Sequence, residues 1–297
     1  EVGDGSRNVL CVYAGAAPGT HTNFLSGLFP HIHFMLVDPA PFKAKPTDMI
    51  EVCQEFFTED TVREIKKHYD SASWKILFVS DIRTADPKVL PPTEIEKAVA
   101  SDMKMQMNWQ LSLSPHAAMH KFRLPWVEGK TPYVAGDIYL PVWGRETTTE
   151  CRLISTSSQI IEYDNEAYWE QMFWFNRLGR VQYFEHNVQA PGIDHCYDCA
   201  AEITILRQYL QQARGVEIQQ LDKEVAEFSK LISAACSPNG RTLEFHESMD
   251  QRQAWFGARK YDYEKREIIS VPRTDGYADH NRKNASQDEE MHHLPHD

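Results

Sequence analysis

Residues Asn8 to His21 read NVLCVYAGAAPGTH. Val9 to Tyr13 is a short, mostly apolar run, which predicts a buried parallel strand. It passes straight into a small-residue turn, Ala14-Gly15-Ala16-Ala17-Pro18-Gly19, after which Thr20 or Thr22 offers an N-cap for a helix. Strand, glycine-rich turn and helix start make a ligand cradle: glycines let the backbone come close, and free amides face negative atoms. The turn lacks G-x-G-x-x-G, so it does not fit a dinucleotide. Ile32 to Val37 is a second apolar run, and it ends in Asp38. An acid at the tip of the second strand is where this architecture grips ribose hydroxyls. A nucleoside without a pyrophosphate fits Gly15 and Asp38 together, and S-adenosylmethionine is such a nucleoside. The competing reading is an ordinary strand–helix turn with a solvated Asp38.

The chain of 297 residues is long enough for one large domain or two small ones. Its formal net charge of −12 argues against a general nucleic-acid coat and confines any RNA contact to a local basic groove. Six cysteines, only two of them closely spaced, make no disulfide framework and point to a reducing, intracellular home, cytoplasm or nucleus. No apolar run approaches membrane-spanning length, so no membrane partner is expected. No signal peptide is read at the start. The first residues lead directly into the strand, which leaves room for an upstream segment.

Further along, Val52 to Phe57 reads as a strand. Thr58 to Tyr69 reads as a helix with a Thr cap, acids in its first turn and lysines in its last. Lys75 to Ser80 is the most strand-like run and ends in Asp81-Ile82-Arg83. Pro91 to Met107 holds a helix with a Thr93-x-x-Glu96 capping box, and Trp109 to Leu113 reads as the next strand. Glu150 to Ser155 reads as a strand, Asn165 to Leu178 as a helix and Arg180 to Glu185 as a strand. Ala200 to Gln212 and Glu217 to Ala235 close the chain as helices. Strands alternating with helices predict a mainly parallel, Rossmann-like α/β sheet covered on both faces. A single domain over residues 1–245 is expected, with an extension over 246–297 whose last part, 272–297, is polar enough to be disordered.

Ligands in such sheets bind beyond the carboxyl ends of the strands. Tyr13 with Gly15, Asp38, and Asp81 with Arg83 fall there; Lys121 follows the Trp109 run and Glu150 opens a later strand. An amine between two carboxylates is the useful combination. Burial favours a neutral amine and nearby acids a charged one, and the balance suits a base that stays in place. Alone, each residue reads as a solvated side chain. Trp126, followed two residues later by Glu128, can stack on a flat cationic ring and accept its protons; the bland alternative is a core aromatic. His195-Cys196-x-x-Cys199 is half a zinc site, with His186 or His195 as possible further ligands. Packing cysteines at a helix start are the preferred reading there, with no metal expected.

The order Y-x-G-x-A-P-G-T-H, L-x-D, S-D-[VI]-R, a Lys opening K-aromatic-R-x-P, then E-x-R-L-[LI]-S resembles the poxvirus cap-specific mRNA 2′-O-methyltransferase family from about Val9 to about Ala213. Members of that family double as the processivity subunit of the viral poly(A) polymerase. The resemblance implies an S-adenosylmethionine-dependent methyltransferase fold, capped mRNA as substrate, and a poly(A) polymerase or other mRNA-processing subunit as partner. It implies Tyr13, Gly15, Gly19, His21 and Asp38 around the cofactor, with Phe57 beside its adenine and Asp81 also facing it. Asp81, Lys121 and Glu150 match three members of a Lys-Asp-Lys-Glu tetrad whose middle Lys deprotonates the ribose 2′-hydroxyl. Trp126 falls where the family stacks an aromatic on 7-methylguanine, and Glu128 where it places an acid on that base's edge. An arginine expected after Asp38 is replaced by Ala40, and a second cap-binding acid by Trp169, with Glu170 beside it. The first tetrad Lys and the second stacking aromatic lie upstream of the family's cofactor strand, which predicts either a missing N-terminal segment or impaired catalysis. The leading expectation is therefore methyl transfer from S-adenosylmethionine to a cap-proximal ribose 2′-OH, with Lys121 as base. The alternative is a catalytically impaired cap- or RNA-binding subunit of a larger assembly.

Overall fold

A computed structural model describes residues 8–86, 89–144, 148–236, 259–262 and 267–270. The elements are, in order, β1 (Asn8–Ala14), α1 (Thr22–Leu28), β2 (Ile32–Val37), β3 (Ile50–Cys53), α2 (Glu59–His68), β4 (Trp74–Ser80) and α3 (Pro92–Leu113). Then come β5 (Ala117–Phe122), β6 (Lys130–Val134), β7 (Asp137–Tyr139), β8 (Cys151–Ser155), β9 (Ile160–Asp164), α4 (Asn165–Arg177), α5 (Tyr197–Arg214), α6 (Leu221–Cys236), β10 (Arg259–Asp262) and β11 (Glu267–Ser270).

Seven strands form one sheet in the order β3-β2-β1-β4-β5-β8-β7. Within it β8 alone runs against its neighbours; β1 to β5 pair in parallel, and β7 is antiparallel to β8. The Rossmann-like, mainly parallel class expected above is the one observed. Two short antiparallel pairs, β6 with β9 and β10 with β11, stand outside the sheet.

β1 sits in the middle, which is why its apolar run is unbroken. Leu10, Val12 and Ala14 enter the core on one face with Phe78 and the α2 residues Val62 and Ile65. Val9 and Cys11 enter the core on the other face with Phe34 and Leu36. Alternate residues of a strand point to opposite faces, so a strand buried on both sides needs apolar residues at every position. After β1 the chain builds outward through β2 and β3, then returns to β4 on the other side. The switch point thus lies between β1 and β4, where such sheets open a ligand crevice.

Several local expectations are corrected. Trp109 to Leu113 is the last turn of α3; Trp109 and Leu113 stack one helical turn apart into the core, and Lys121 lies within β5 itself. The third strand covers Ile50–Cys53 and stops where the Glu55 amide turns back to the Cys53 carbonyl. Arg180 to Glu185 is no strand: a 3-10 turn over Gly179–Val181 leads into irregular chain. Neither Thr20 nor Thr22 caps α1; His21 is the cap residue, without a side-chain bond, and Thr22 is buried in the first turn. The Thr93–Glu96 box is absent because Glu96 bonds Arg123 and the Trp126 amide instead. Thr58 does cap α2, in a box closed by Thr61. The domain boundary near 245 and the tail 272–297 lie outside the described residues.

Candidate active site

The first turn is built for close approach. Gly15 has φ +79°, and a Cβ there would lie 2.9 Å from the Asp81 carbonyl carbon and the Ile82 nitrogen. The turn therefore leans on the end of β4, and the Asp81 amide donates to the Ala14 carbonyl at 2.9 Å. Gly19, at φ +63°, meets Ala44 in the same way. Asp38 closes the other side, accepting from the Ala17 amide at 3.2 Å and the Ala40 amide at 2.8 Å. A carboxylate has about four acceptor sites, so two amides leave room for ribose hydroxyls. The position where an arginine was expected thus contributes a backbone donor, Ala40, to the same acid.

On β5 and β8, Lys121 stands directly opposite Arg152 in the antiparallel register. Two cations facing each other across strands repel. Two carboxylates reverse that: Lys121 Nζ lies 3.3 Å from Asp81 Oδ1 and 3.5 Å from Glu150 Oε2. Arg152 reaches the same two acids, Asp81 at 3.0 Å and Glu150 at 2.7 Å. Arg83 approaches Glu150 at 3.7 Å and the fully buried Asp102 at 3.8 Å, while Thr84 donates to Asp102 from its amide and its hydroxyl. Burial alone would raise the Glu150 carboxyl. The Arg152 hydrogen bond and the charges of Lys121, Arg152 and Arg83 outweigh it, and hold Glu150 below the usual range. Tyr13, at the end of β1, is pushed up to about 12 by burial and then by the Asp81 charge. It shares this cluster's electrostatics.

So Asp81, Lys121 and Glu150, far apart in sequence, meet beside the Gly15 turn and the switch point. Arg152 is the residue sequence reasoning missed. The signal was present in E-x-R: residues two apart on an extended chain share a face, so Glu150 and Arg152 point together.

Phe57 is corrected. Its ring is committed to the core, 4.9 Å from Trp109 and 5.5 Å from Phe78 between centroids, and Phe56 is the exposed aromatic there. Phe56 lines a cavity of about 580 Å³ with Cys53 and Thr58. His21 is exposed.

Trp126 is 67% exposed and touches Trp169, centroids 4.4 Å apart. Arg123 lies over Trp169, and the Trp169 indole donates to the Pro125 carbonyl. A ring sandwiched between two others needs about 7 Å between them, twice van der Waals contact. The two indoles therefore brace one another, and a flat ligand would use the remaining face of Trp126. Trp126 and Glu128 line a groove of about 1180 Å³ floored by Met103, Met107 and Tyr133, with Lys97, Lys104 and Lys130 among its walls. Glu170 is exposed on α4, outside the groove's lining.

A family model described as the poly(A) polymerase regulatory subunit matches residues 2–230. The chain belongs to the poly(A) polymerase regulatory subunit family. Relatives of this family member include the cap-specific mRNA (nucleoside-2′-O-)-methyltransferases of myxoma virus strains Lausanne and Uriarra. Each is 28% identical over 209 residues, covering 63% of this chain and 59% of the viral one. The chain thus spans under two thirds of the length of these relatives. Among solved structures, bluetongue virus VP4, described as a multifunctional RNA-capping production line, is similar at a TM-score of 0.44 and 11% identity. That match covers 57% of this chain and 29% of VP4. No helix among the described residues is long and apolar enough to cross a membrane.

Proposed function

We propose that this chain is an S-adenosylmethionine-dependent mRNA cap 2′-O-methyltransferase that uses Lys121 as base. The observation that carries the reading is the position of Lys121 Nζ between Asp81 and Glu150, beside the turn at the switch point of the sheet. The residues present fit a nucleoside cofactor: Asp38 retains acceptor capacity, and the backbone at Gly15 and Gly19 adopts the positive φ that a tight cradle needs. S-adenosylmethionine, when bound, supplies a methyl group activated by its sulfonium. Tyr13, Gly15, Gly19, His21 and Asp38 would hold it.

Lys121 takes the proton from the ribose 2′-hydroxyl as that oxygen becomes the nucleophile. Asp81 and Glu150 fix the amine in place and balance the positive charge it gains. Arg152 holds both acids apart from each other and in register with the amine. Because the electrophile is already activated, alignment and deprotonation are most of what the protein must provide. Trp126 stacks on the cationic 7-methylguanine and Glu128 accepts from its edge. Lys97, Lys104 and Lys130 give the acidic protein a local basic wall for the phosphates that follow. The family's description supports a poly(A) polymerase subunit as partner.

The test is transfer of tritiated methyl from the cofactor to RNA carrying an m7G cap, an unmethylated cap or a triphosphate end, with the product identified by nuclease digestion. The reading expects label on the cap-adjacent 2′-oxygen. Cap binding without transfer by the wild-type chain would leave the binding-subunit alternative in its place.

A further inference from the structure

Cys196 and Cys199 lie at the start of α5, far in sequence from the residues assigned above. Cys196 is the residue before its first turn, and Cys199 sits three positions on, so both sulfurs face the same end of the helix. They are 0% and 1% exposed. The carboxylate of Asp194, half-buried, joins them: one ligand atom from each of the three lies within 4.8 Å of the others. Backbone amides already serve these atoms. The Asp194 amide donates to Cys199 Sγ at 3.2 Å, and the Cys196 amide to Asp194 Oδ1 at 2.9 Å. Amide donors and a helix N-terminus both favour thiolate over thiol. Without a cation the arrangement is poor, since two sulfurs and a carboxylate cannot all carry charge together in one buried space. A divalent metal inverts that balance.

The histidines that sequence spacing offered are employed otherwise. His195 bonds the Phe184 carbonyl through Nδ1 and stacks between Tyr183 and His186. His186 Nε2 contacts the Asp194 backbone carbonyl. Both histidines brace the loop that presents Asp194.

We propose that Cys196, Cys199 and Asp194 bind a zinc ion, with water in the fourth position on the open Asp194 side. Two soft thiolates with one carboxylate, close enough for tetrahedral coordination, select zinc over calcium or magnesium. Binding releases the two thiol protons to solvent and changes no oxidation state. The ion fastens the irregular chain from Gln182 to His195, which has few backbone ties of its own, onto the first turn of α5.

The experiment uses the full chain purified without chelator, with metal content measured by mass spectrometry and cobalt(II) exchanged for zinc. The expected results are about one zinc per chain and a cobalt spectrum with thiolate charge-transfer bands. Both should be lost in Cys199→Ser and weakened at least ~10-fold in Asp194→Asn, which keeps both thiols. Zinc removal should lower the melting temperature of the wild type and leave that of Cys199→Ser unchanged. If Cys199→Ser fails to fold, the wild-type stoichiometry, its cobalt spectrum and Asp194→Asn decide alone. Absence of metal together with a featureless cobalt spectrum would overturn the site. So would a Cys196–Cys199 disulfide found by alkylation and mass spectrometry.

Discussion

Lys121 and His120 are neighbours on β5, yet they face opposite sides of the sheet and meet opposite solutions to the same problem. Lys121 keeps its charge company: two acids and a second cation, all partly open to water. His120 is 0% exposed; its Nε2 lies 2.5 Å from Gln110 Oε1, and Gln110 in turn donates to Ser155. Among the described residues no counterion faces His120, and burial pulls it down from 6.5 to about 4. One face of the strand holds an amine among acids and a guanidinium at the rim of a crevice. The other holds an ionisable group that stays neutral for the sake of packing. A strand two residues wide in its alternation can thus carry chemistry and core side by side, provided counterions and burial are kept on separate faces.

The comparison breaks most visibly if Lys121 is removed. Lys121→Ala should lower methyl transfer by at least ~10³-fold, within the range for loss of a general base, while cofactor binding measured by calorimetry survives. Arg152→Gln sharpens the same face: with Lys121 left as the nearer cation on two acids, transfer should fall about 10- to 100-fold, with cofactor affinity little changed. The rescue variant is Arg152→Lys, which should recover part of that rate.

The buried face makes a different prediction. Unfolded chain protonates its histidine near 6.5 and folded chain only near 4. The unfolded state therefore binds more protons between those values, and stability is lost as pH falls through that window. Urea unfolding should show His120 contributing a loss of about 3 kcal/mol between pH ~7 and ~4. Because acids add their own slope, the quantity to read is the difference between wild type and His120→Gln, which should carry this loss, the variant's own profile being the flatter. The smallest effect belongs to the exposed aromatic. Trp126→Ala should leave the melting temperature unchanged and weaken capped RNA about tenfold relative to uncapped RNA in fluorescence titration.

Much of this architecture was legible before any coordinates. β1, β2 and β4 are mostly apolar, broken only by Asn8, His33, Lys75 and Ser80, because both faces are buried, and that pattern has few other meanings. The errors have physical causes. Trp109, Leu111 and Leu113 alternate like a strand, but the same spacing at the end of a long helix turns Trp109 and Leu113 inward together. Val181 and Tyr183 alternate too, yet the chain there is irregular. Glu96 has the spacing of a capping partner, and Arg123 and the Trp126 amide take it by tertiary contact. Of the site, Gly15, Asp38, Asp81, Lys121 and Glu150 could be named because their motifs recur in order. Arg152 could not be weighed, since its value depends on a cross-strand register that places it opposite Lys121. Asp194 stayed hidden for a similar reason: spacing pointed to histidines, whereas the loop turns a carboxylate toward the sulfurs.

The most direct test of the central claim is the pH–rate profile of Lys121→Arg on capped RNA under single-turnover conditions. Arginine keeps the positive charge and can reach Asp81 and Glu150, but it does not give up its proton in any accessible pH range. If Lys121 acts as the base, the variant folds, binds cofactor and transfers no methyl at any pH. Turnover within about threefold of wild type would show that position 121 supplies charge alone, and the assignment of Lys121 as base would fall.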